Sequence, residues 1–409
     1  MQSADVLVVG LGAMGSATLL QLALRGVRVI GVDRFSPPHR FGSSHGQTRI
    51  TRLANGEGEV YTPVVRRSHA LWRELEEHTG AELLVQCGGI VIQRHRSVSA
   101  LHGAPDFLHR TLDCARSFGI AHEVLDASAI GERFPQFLLS GDERGYFEPA
   151  AGYLRPEACI TAELDLAARH GAGIRRNETV LDVSGDQASV RVTTSADTYT
   201  AGHCIVCAGS WVAPFLPDSV RPYFTVYPQT LAWFALRDGA TDHSPGAMPV
   251  FIRVLEHDRV LYGFPAIDSE PVIKVGTEQF ERTSAPDDDA AVDSGDLQAL
   301  YNDRVAPTLR DVTPKVISSV RCRYTTTPDH GFIVDQHPSI ENALIVSACS
   351  GHGFKHSAAL GEAVAELVVT GRSSLDLSPF SLSRFREPAS TLQSGRGVTR
   401  PDSYASTTA

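Results

Sequence analysis

The first 33 residues hold a strand–turn–helix–strand unit of the kind that binds dinucleotides. Two short apolar runs rich in β-branched residues, 6–9 and 27–32, suit buried parallel strands, and a G-x-G-x-x-G sequence stands between them. Gly10 permits a tight turn, Gly12 lets the backbone approach a pyrophosphate, and Gly15 lets the helix pack closely on the strand. The spacing therefore predicts a Rossmann-like unit at the start of the chain.

An acidic residue, Asp33, closes this unit about 20 residues after the glycines. A carboxylate at this point can accept hydrogen bonds from a ribose diol, while the N-terminus of the helix offers N–H groups and a partial positive charge to phosphates. A glycine triplet alone is weak evidence, but the strand, the helix and the acid around it supply the context that it needs. We predict an adenine dinucleotide as ligand, FAD or NAD rather than NADP.

The composition excludes several classes of protein. With 409 residues, of which 42% are hydrophobic, the chain can form two or three domains. The net charge of −10 argues against non-specific binding of nucleic acid, and no apolar run is long enough to cross a bilayer. The chain begins in a strand, without the basic and apolar segments of a signal peptide, so we expect a cytoplasmic protein.

Seven cysteines are scattered along the chain, an odd number that indicates free thiols in a reducing compartment. Cys204 and Cys207 form a C-x-x-C sequence, but they lie in an apolar, strand-like run where successive side chains alternate between faces. No second pair completes a metal site. We interpret both as buried small hydrophobic residues and predict no metal site.

Strand-like segments of the nucleotide-binding type recur at the start, in the middle and near the end of the chain. This recurrence predicts an α/β (α+β) fold in which a discontinuous nucleotide-binding domain accompanies a second, sheet-rich domain. We expect the first domain at residues 1–83, 150–220 and 320–385, and the second, substrate-binding domain at residues 84–149 and 221–319. The polar segment 386–409, rich in Ser, Thr, Gly and Arg, is expected to be a disordered tail.

Three further segments carry a more specific pattern than the glycine triplet. They are GSSHGQTRITR at residues 42–52, CRYTTTPDHGFIVD at 322–335 and SGHGFK at 350–355. In this order and spacing, and together with the N-terminal unit, they resemble the monomeric sarcosine oxidase and N-methyltryptophan oxidase family of flavin amine oxidases. The resemblance covers residues 4–385. It implies a monomer with FAD rather than NAD, bound by a Rossmann-like domain of the D-amino-acid-oxidase and glutathione-reductase type.

The activity that the resemblance implies is oxidation of a small amino acid. Such an oxidase converts the C–N bond of a secondary or N-methyl amino acid, sarcosine-like, N-methyltryptophan-like or cyclic, to an imine and reduces O₂ to H₂O₂. Two alternatives stay open: a flavin dehydrogenase that uses another electron acceptor, and a flavin-bearing protein without activity. We favour the oxidase because Lys274 matches the family lysine that activates oxygen.

The resemblance also implies that the flavin is attached covalently, through its 8α-methyl group, to Cys322. From the residues alone, Arg321 and Arg323 would favour the thiolate, which is the form that attacks an electrophilic carbon. The alternative is a packed free cysteine. Tyr324, two residues further on, would project from the same face of a strand into the same cavity.

Arg52 and Lys355 match the family's pair of residues that bind the substrate carboxylate. A planar guanidinium suits bidentate contact with a carboxylate, and an ammonium group adds charge at its other side. Without the resemblance, Arg52 would be interpreted as an arginine on a solvated or structural face. Tyr262, in the sequence YGFP, matches a tyrosine on the substrate side.

His45 and Arg49 match residues beside the flavin, where a cationic group stabilises negative charge on the reduced ring. Lys274 is a charge within the β-branched run VIKVG, and the alternative to its oxygen role is an edge-strand lysine that points to solvent. The residues predicted to take part in the reaction are Lys274, His45, Arg49, Tyr262 and Tyr324. The predicted cofactor contacts are Gly10, Gly12, Ala13, Met14, Gly15, Asp33, Arg34, Ser43, Ser44, His45, Arg49, Cys322, Gly351, Gly353, Phe354 and Lys355.

One residue departs from the family pattern. Sarcosine oxidases have a histidine four residues after the lysine, where this chain has Glu278. A carboxylate there could contact a second amine on a larger substrate, but we expect a shifted strand register after the loop at 268–271, with Glu278 in solvent. The departure argues against sarcosine itself as the substrate.

Overall fold

The computed structural model describes residues 2–94, 100–101, 104–256 and 259–385, so the segment 386–409, expected as a disordered tail, lies outside the described residues. The helices in these ranges are α1 (Ala13–Leu24), α2 (Tyr61–Thr79), α3 (Phe107–Ser117), α4 (Ala127–Arg133), α5 (Pro156–Arg169), α6 (Ser294–Leu300) and α7 (Ser357–Thr370). The strands are β1 (Gln2–Val9), β2 (Val29–Val32), β3 (Arg49–Thr51), β4 (Leu84–Val85), β5 (Gly89–Arg94), β6 (Ala100–Leu101), β7 (Ala104–Pro105), β8 (Glu123–Asp126), β9 (Glu143–Glu148), β10 (Gly152–Leu154), β11 (Gly173–Arg175), β12 (Val180–Gly185), β13 (Val190–Thr194), β14 (Thr198–Val206), β15 (Thr225–Leu236), β16 (Val250–Val254), β17 (Val260–Gly263), β18 (Val272–Gly276), β19 (Val312–Thr326), β20 (Ile333–Gln336) and β21 (Ala343–Ser347).

The first large sheet carries the dinucleotide-binding unit. Its strand order is β11-β2-β1-β14-β13-β12, with β21 on β14 and β20 on β21, and the central pairs are parallel. Val6 and Val8 of β1 pack into a core with α1, α2, α5 and α7. Leu7 and Val9 belong to a second core on the opposite face. Burial on both faces explains why these strands read as continuous apolar runs.

The second large sheet has the order β19-β15-β18-β17-β16-β5-β9-β8, and its pairs are antiparallel except β16 with β5. Ile273 and Val275 of β18 lie in the hydrophobic core on one face. Lys274, between them, is paired with Trp233 of β15 on the other face. This alternation explains why a charged residue stands within a β-branched run. One face of the strand packs into the core, and the lysine lies on the other face.

A small sheet of order β3-β10-β4 completes the framework that supports the site. β3 is only three residues long and pairs antiparallel with β10. It carries Arg49 at its first residue, and Arg52 follows directly after its last. Among the described helices, none has both the length and the apolar composition needed to cross a bilayer.

The α/β fold class is confirmed. β19 runs through residue 320, where we expected a domain boundary, and it pairs with β15 over most of its length. Cys322 therefore lies in a strand of the second large sheet.

Candidate active site

A long cavity, here called the cofactor cavity, lies at the carboxyl ends of β1, β2 and β14 beside the N-terminus of α1. It encloses about 1530 Å³ of empty space, including space open to solvent, and its wall runs from the glycine turn to the residues that follow β14 and β21. The predicted cofactor contacts that line it are Gly10, Gly12, Ala13, Met14, Asp33, Arg34, Ser43, Ser44, Arg49, Gly351, Gly353 and Phe354.

The glycine turn has the backbone that a dinucleotide needs. Gly10 has a φ of +87°, which favours glycine, and a Cβ on Gly15 would lie 1.7 Å from the carbonyl oxygen of Gly10. A Cβ on Gly12 would come no closer than 4.0 Å to the Ser44 hydroxyl, so this residue faces open space. No side chain in the described part of the chain caps α1 and its first turn has no acid, which leaves its N–H groups for a phosphate. The residues present therefore fit a bound dinucleotide.

Asp33 has a structural task beside its predicted contact with ribose. Its Oδ2 accepts a hydrogen bond from the Leu11 N–H at 2.7 Å, and its Oδ1 accepts one from the Phe35 N–H at 2.8 Å. The carboxylate thus fixes the glycine turn and still forms part of the cavity wall. Arg34 lies on the same wall, pairs with Asp287 at 3.0 Å and lies over the Trp211 ring.

A second cavity, here called the inner cavity, shares the walls Arg49, Tyr324, Gly351 and Phe354 with the first. It encloses about 710 Å³ of empty space, including space open to solvent. The residues predicted for reaction, substrate or cofactor that line it are Arg49, Arg52, Tyr262, Lys274, Cys322, Tyr324, Gly351, Phe354 and Lys355. Two other predicted residues, Gly15 and His45, line neither cavity.

Cys322 is a buried free thiol on the wall of the inner cavity. The Nη2 of Arg49 donates a hydrogen bond to its sulfur at 3.5 Å, and the sulfur lies 3.7 Å from the carbonyl oxygen of Ser43. The two flanking arginines turn away, because alternate residues of a strand face opposite sides: Arg321 pairs with Asp288, and Arg323 donates to the Phe41 carbonyl. The expectation that these two stabilise a thiolate is wrong; the adjacent cation is Arg49.

Lys274 is buried and fully hydrogen-bonded, which excludes a solvent-facing edge-strand lysine. Its Nζ donates to the carbonyl oxygens of Gly46 at 2.6 Å and Thr48 at 2.8 Å, and to the Thr48 hydroxyl at 3.0 Å. The ammonium also lies 4.5 Å from the centre of the Phe264 ring. Burial holds the pKa of Lys274 well below its usual range, and the charge of Arg49 lowers it further.

Arg52 and Lys355 meet at one carboxylate that the sequence did not reveal. Arg52 forms a bidentate ion pair with Glu57, with both Nη2–oxygen distances at 2.7 Å, and Lys355 lies 3.7 Å from the same group. All three side chains are buried, with at most 6% exposure. Burial lowers the pKa of Lys355 to about 8. Nothing in the spacing of the acid, five residues after Arg52, distinguishes it from an ordinary loop glutamate.

Two tyrosines from different strands form the remaining polar wall of the inner cavity. The hydroxyl of Tyr262 on β17 lies 3.3 Å from that of Tyr324 on β19. Burial raises the pKa of both hydroxyl groups above the usual range. Both are therefore neutral at physiological pH and able to donate and accept hydrogen bonds.

His45 differs from its expected role. It is buried between Arg49, Lys274 and Arg323, and burial together with these charges lowers its pKa to about 3. A neutral imidazole cannot supply the cationic group that was expected beside the flavin. Arg49 is the permanent charge here, because a guanidinium keeps its proton at all accessible pH values.

Glu278 lines the inner cavity, so the expectation that it points into solvent is wrong. β18 keeps an unbroken register with β15 up to Gly276, which removes the shifted register that was expected. Its charge acts on the pKa values of Tyr262, Tyr324 and Lys355, although burial is the larger influence on each. The carboxylate is therefore part of the site.

Several residues of both cavities escaped the sequence analysis. The turn after β14, with Cys207, Gly209 and Trp211, lines the cofactor cavity, and the glycine at its strand end was the signal for it. The inner cavity also includes Thr48, Glu57, Leu231, Ile252, Val260, Phe264 and His352. Leu231, Ile252 and Val260 among them are apolar strand residues whose direction depends on the register of a sheet built from distant segments.

A Rossmann-type cavity for a dinucleotide, joined to a second cavity lined by several cations, fits a flavin-dependent oxidoreductase. Residues 5–367 match the family model of the FAD dependent oxidoreductases (DAO). The chain belongs to this family and is a flavin-dependent amine oxidoreductase.

Named relatives cover nearly the whole chain. It is 36% identical to the monomeric sarcosine oxidase of Streptomyces avermitilis over 380 residues, 92% of this chain and 96% of the relative. It is 34% identical to the N-methyl-L-tryptophan oxidase of Salmonella typhi over 391 residues, 94% of this chain and 99% of the relative. The family expected from the four sequence segments is thereby confirmed.

Solved structures agree on the fold. NikD, an unusual amino acid oxidase essential for nikkomycin biosynthesis, superimposes in its open form with a TM-score of 0.80 at 22% identity, over 93% of this chain and 98% of its own. Glycine oxidase from Geobacillus kaustophilus has a TM-score of 0.74 at 22% identity, over 94% and 99%. At these identities the likeness concerns the fold alone.

Proposed function

We propose that this protein is an FAD-dependent oxidase of a secondary or N-methyl amino acid, with O₂ as electron acceptor and H₂O₂ as product. The observation that carries the proposal is the inner cavity, where Arg52, Lys355, Lys274 and Cys322 face one closed space beside the cofactor cavity. Bound FAD would supply the chemistry by accepting a hydride equivalent from the carbon next to nitrogen. The 34–36% identity to sarcosine and N-methyltryptophan oxidases supports the same substrate class.

Arg52 and Lys355 would anchor the carboxylate of the substrate. Both cations are buried, which strengthens their attraction for an anion, but Glu57 already occupies the fork of Arg52 at 2.7 Å. A substrate carboxylate must therefore share these donors with Glu57 or displace it. We expect Glu57 to turn away when an amino acid binds, because two carboxylates repel each other at one site.

Lys274 would serve the reaction with oxygen. The low pKa of Lys274 means that burial destabilises its ammonium form. A negative charge nearby would stabilise the ammonium form again. When an electron moves to O₂, negative charge would develop near the lysine, so the lysine would stabilise that step and leave amine oxidation largely unaffected. Lys274 also faces a second small space lined by Trp233, Phe264 and Val272, which gives the group an apolar approach.

We propose that Cys322 carries the flavin through a thioether to the 8α-methyl group. Arg49 donates a hydrogen bond to the sulfur at 3.5 Å and holds the sulfur on the wall of the inner cavity, beside the cofactor cavity. Acid precipitation of the holoenzyme should leave yellow colour in the pellet, and the intact denatured protein should carry the additional mass of FAD. Free FAD in the supernatant of fully loaded protein would contradict the attachment, and Cys322→Ser is the matched control.

The neutral hydroxyls of Tyr262 and Tyr324 would orient the substrate amine, since they can accept or donate a hydrogen bond without adding charge. We propose a monomer in the cytoplasm. The compartment is supported by the seven cysteines, all of which are free thiols.

A screen for H₂O₂ with N-methyl and cyclic amino acids tests the proposed function. We expect turnover of at least one such acid and little turnover of the matching amine that lacks the carboxylate. Equal turnover of acids and decarboxylated amines would contradict the carboxylate anchor. Reduction of a dye without consumption of O₂ would instead indicate a dehydrogenase.

A further inference from the structure

Glu278 lies on the wall between the inner cavity and a third, more polar cavity. Of the residues that the structure describes, it is the one that lines both, and it follows the end of β18 by two positions. The third cavity, here called the outer cavity, holds about 980 Å³ of empty space open to solvent. Exposed residues such as Arg282 and Asp303 form its rim. Glu278 therefore lies between the inner cavity and the protein surface.

The charges of the outer cavity are largely balanced within its own wall. Arg282 pairs with Asp296 at 3.1 Å, and Arg321 lies 3.5 Å from Asp288. Such a surface is polar without a strong net field, and it can accommodate a hydrated, extended group of either sign. Glu278, which lies between this surface and the inner cavity, then decides which charge is favoured at the boundary.

The inner cavity is lined by both positively and negatively charged side chains. Arg52 and Lys355, both buried, are positioned for a carboxylate. Glu278 is partly buried and contributes a negative charge that acts on Lys355, Tyr262 and Tyr324. A substrate whose carboxylate binds the two cations would meet Glu278 with another part of the molecule, and a cationic group there would be attracted to it.

We infer that Glu278 is a specificity-determining residue that selects secondary or N-methyl amino acids with a cationic group on the side chain, whose distal end extends towards the outer cavity. This inference rests on the proposed function, because it uses Arg52 and Lys355 as the carboxylate anchor. A carboxylate favours a cation and rejects an acidic side chain by repulsion, and both effects contribute to discrimination.

Two substrates with the same carbon skeleton test the inference directly. Nα-methyl-lysine and Nα-methyl-norleucine differ only in the terminal ammonium group. We expect the wild-type holoenzyme to prefer the lysine derivative in kcat/KM by roughly 10- to 100-fold, a range typical of a partly desolvated charge pair. In Glu278→Gln the ratio should fall close to unity through loss of activity on the lysine derivative. Glu281→Gln, an exposed position three residues further on, is the matched control and should keep the wild-type ratio.

Either of two results would overturn the inference. An unchanged ratio of the two kcat/KM values in Glu278→Gln would mean that the carboxylate does not interact with the side chain of the substrate. An equal loss on both substrates would place Glu278 at the reacting amine, which the two substrates share.

A binding measurement separates this inference from the proposed function. Titration calorimetry of the holoenzyme with 6-aminohexanoate and shorter ω-amino acids, against hexanoate, requires no turnover. We expect the best ω-amino acid to bind at least about tenfold more tightly than the plain carboxylate, and Glu278→Gln to remove the difference. If this holds while no amino acid is oxidised, the proposed function fails and the assignment of Glu278 stands. If neutral N-methyl amino acids are oxidised but the ω-amino acids show no advantage, the assignment of Glu278 fails alone.

Discussion

The cofactor cavity and the inner cavity are built in different ways. The cofactor cavity uses backbone and small residues at strand ends, as at Gly10, Gly12 and Gly353, and its shape depends on where a side chain is absent. The inner cavity uses charged and aromatic side chains from β3, β17, β18, β19 and the turn before α7. A substitution in the first should affect retention of FAD, whereas a substitution in the second, other than at Cys322, should leave FAD bound and alter one step of catalysis.

The largest effect is expected from Gly15→Ala. The new Cβ would lie 1.7 Å from the Gly10 carbonyl oxygen, and because this neighbour is backbone, the glycine turn must shift. We expect protein with little or no bound flavin by absorbance. Gly131→Ala in α4, whose Cβ would meet Leu139 at an ordinary 3.7 Å, is the control and should retain FAD. Full flavin occupancy in Gly15→Ala would contradict the claim that FAD retention depends on the backbone of the glycine turn.

Arg52→Met should abolish most of the activity and leave the flavin in place. The variant loses the carboxylate anchor and leaves Glu57 buried with Lys355, at 3.7 Å, as its remaining charged partner. We expect a loss of roughly 2–5 kcal/mol in kcat/KM for an amino acid, measured by H₂O₂ formation. Arg66→Met, an exposed arginine on α2, is the control. A change in kcat/KM of less than about threefold would contradict a contact between Arg52 and the substrate.

Lys274→Met separates two steps within the inner cavity. We expect reoxidation of the reduced protein by air to slow by roughly 10²–10³-fold, as on loss of one preorganised electrostatic group. Anaerobic reduction by the substrate should change much less, and an artificial acceptor should partly restore turnover. Stopped-flow absorbance follows both half-reactions. Reoxidation at the parental rate would leave Lys274 with a structural role only.

The smallest effect is a pH dependence from Lys355, whose pKa burial lowers to about 8. The ammonium is charged below that pH and becomes neutral as the pH rises through it, so affinity for a carboxylate should fall. We expect the Kd of a simple carboxylate such as propionate to rise by up to about tenfold between about pH 7 and pH 9. Lys355→Met should show a flat profile over this range. A flat profile in the parent would mean that Lys355 does not titrate there.

The difference between the two cavities also explains which residues could be predicted from the sequence. The glycine turn and Asp33 follow one another within a single local unit, so spacing alone located the cofactor cavity. Lys274 and Cys322 were found only through the family resemblance, since each is one residue in an apolar strand. Their neighbours come from sheet pairing over long separations, as between β15 and β19.

The errors have equally physical causes. Arg321 and Arg323 were expected to flank the thiol, but strand alternation turns them away, and Arg49 from β3 takes their place. His45 was expected to supply a cationic group beside the flavin. Burial and the charges of its neighbours instead lower its pKa to about 3, so the imidazole is neutral. Glu57 gave no local signal, because its meaning depends on the fold that brings Arg52 and Lys355 together.

The most direct test of the account is an anaerobic titration of the flavin-loaded protein with N-methyl and cyclic amino acids, followed by admission of air. We expect one equivalent of a substrate acid to bleach the flavin absorbance fully, and air to restore it with one equivalent of H₂O₂. Absence of bleaching with every such acid, or bleaching that air does not reverse, would contradict an amino-acid oxidase.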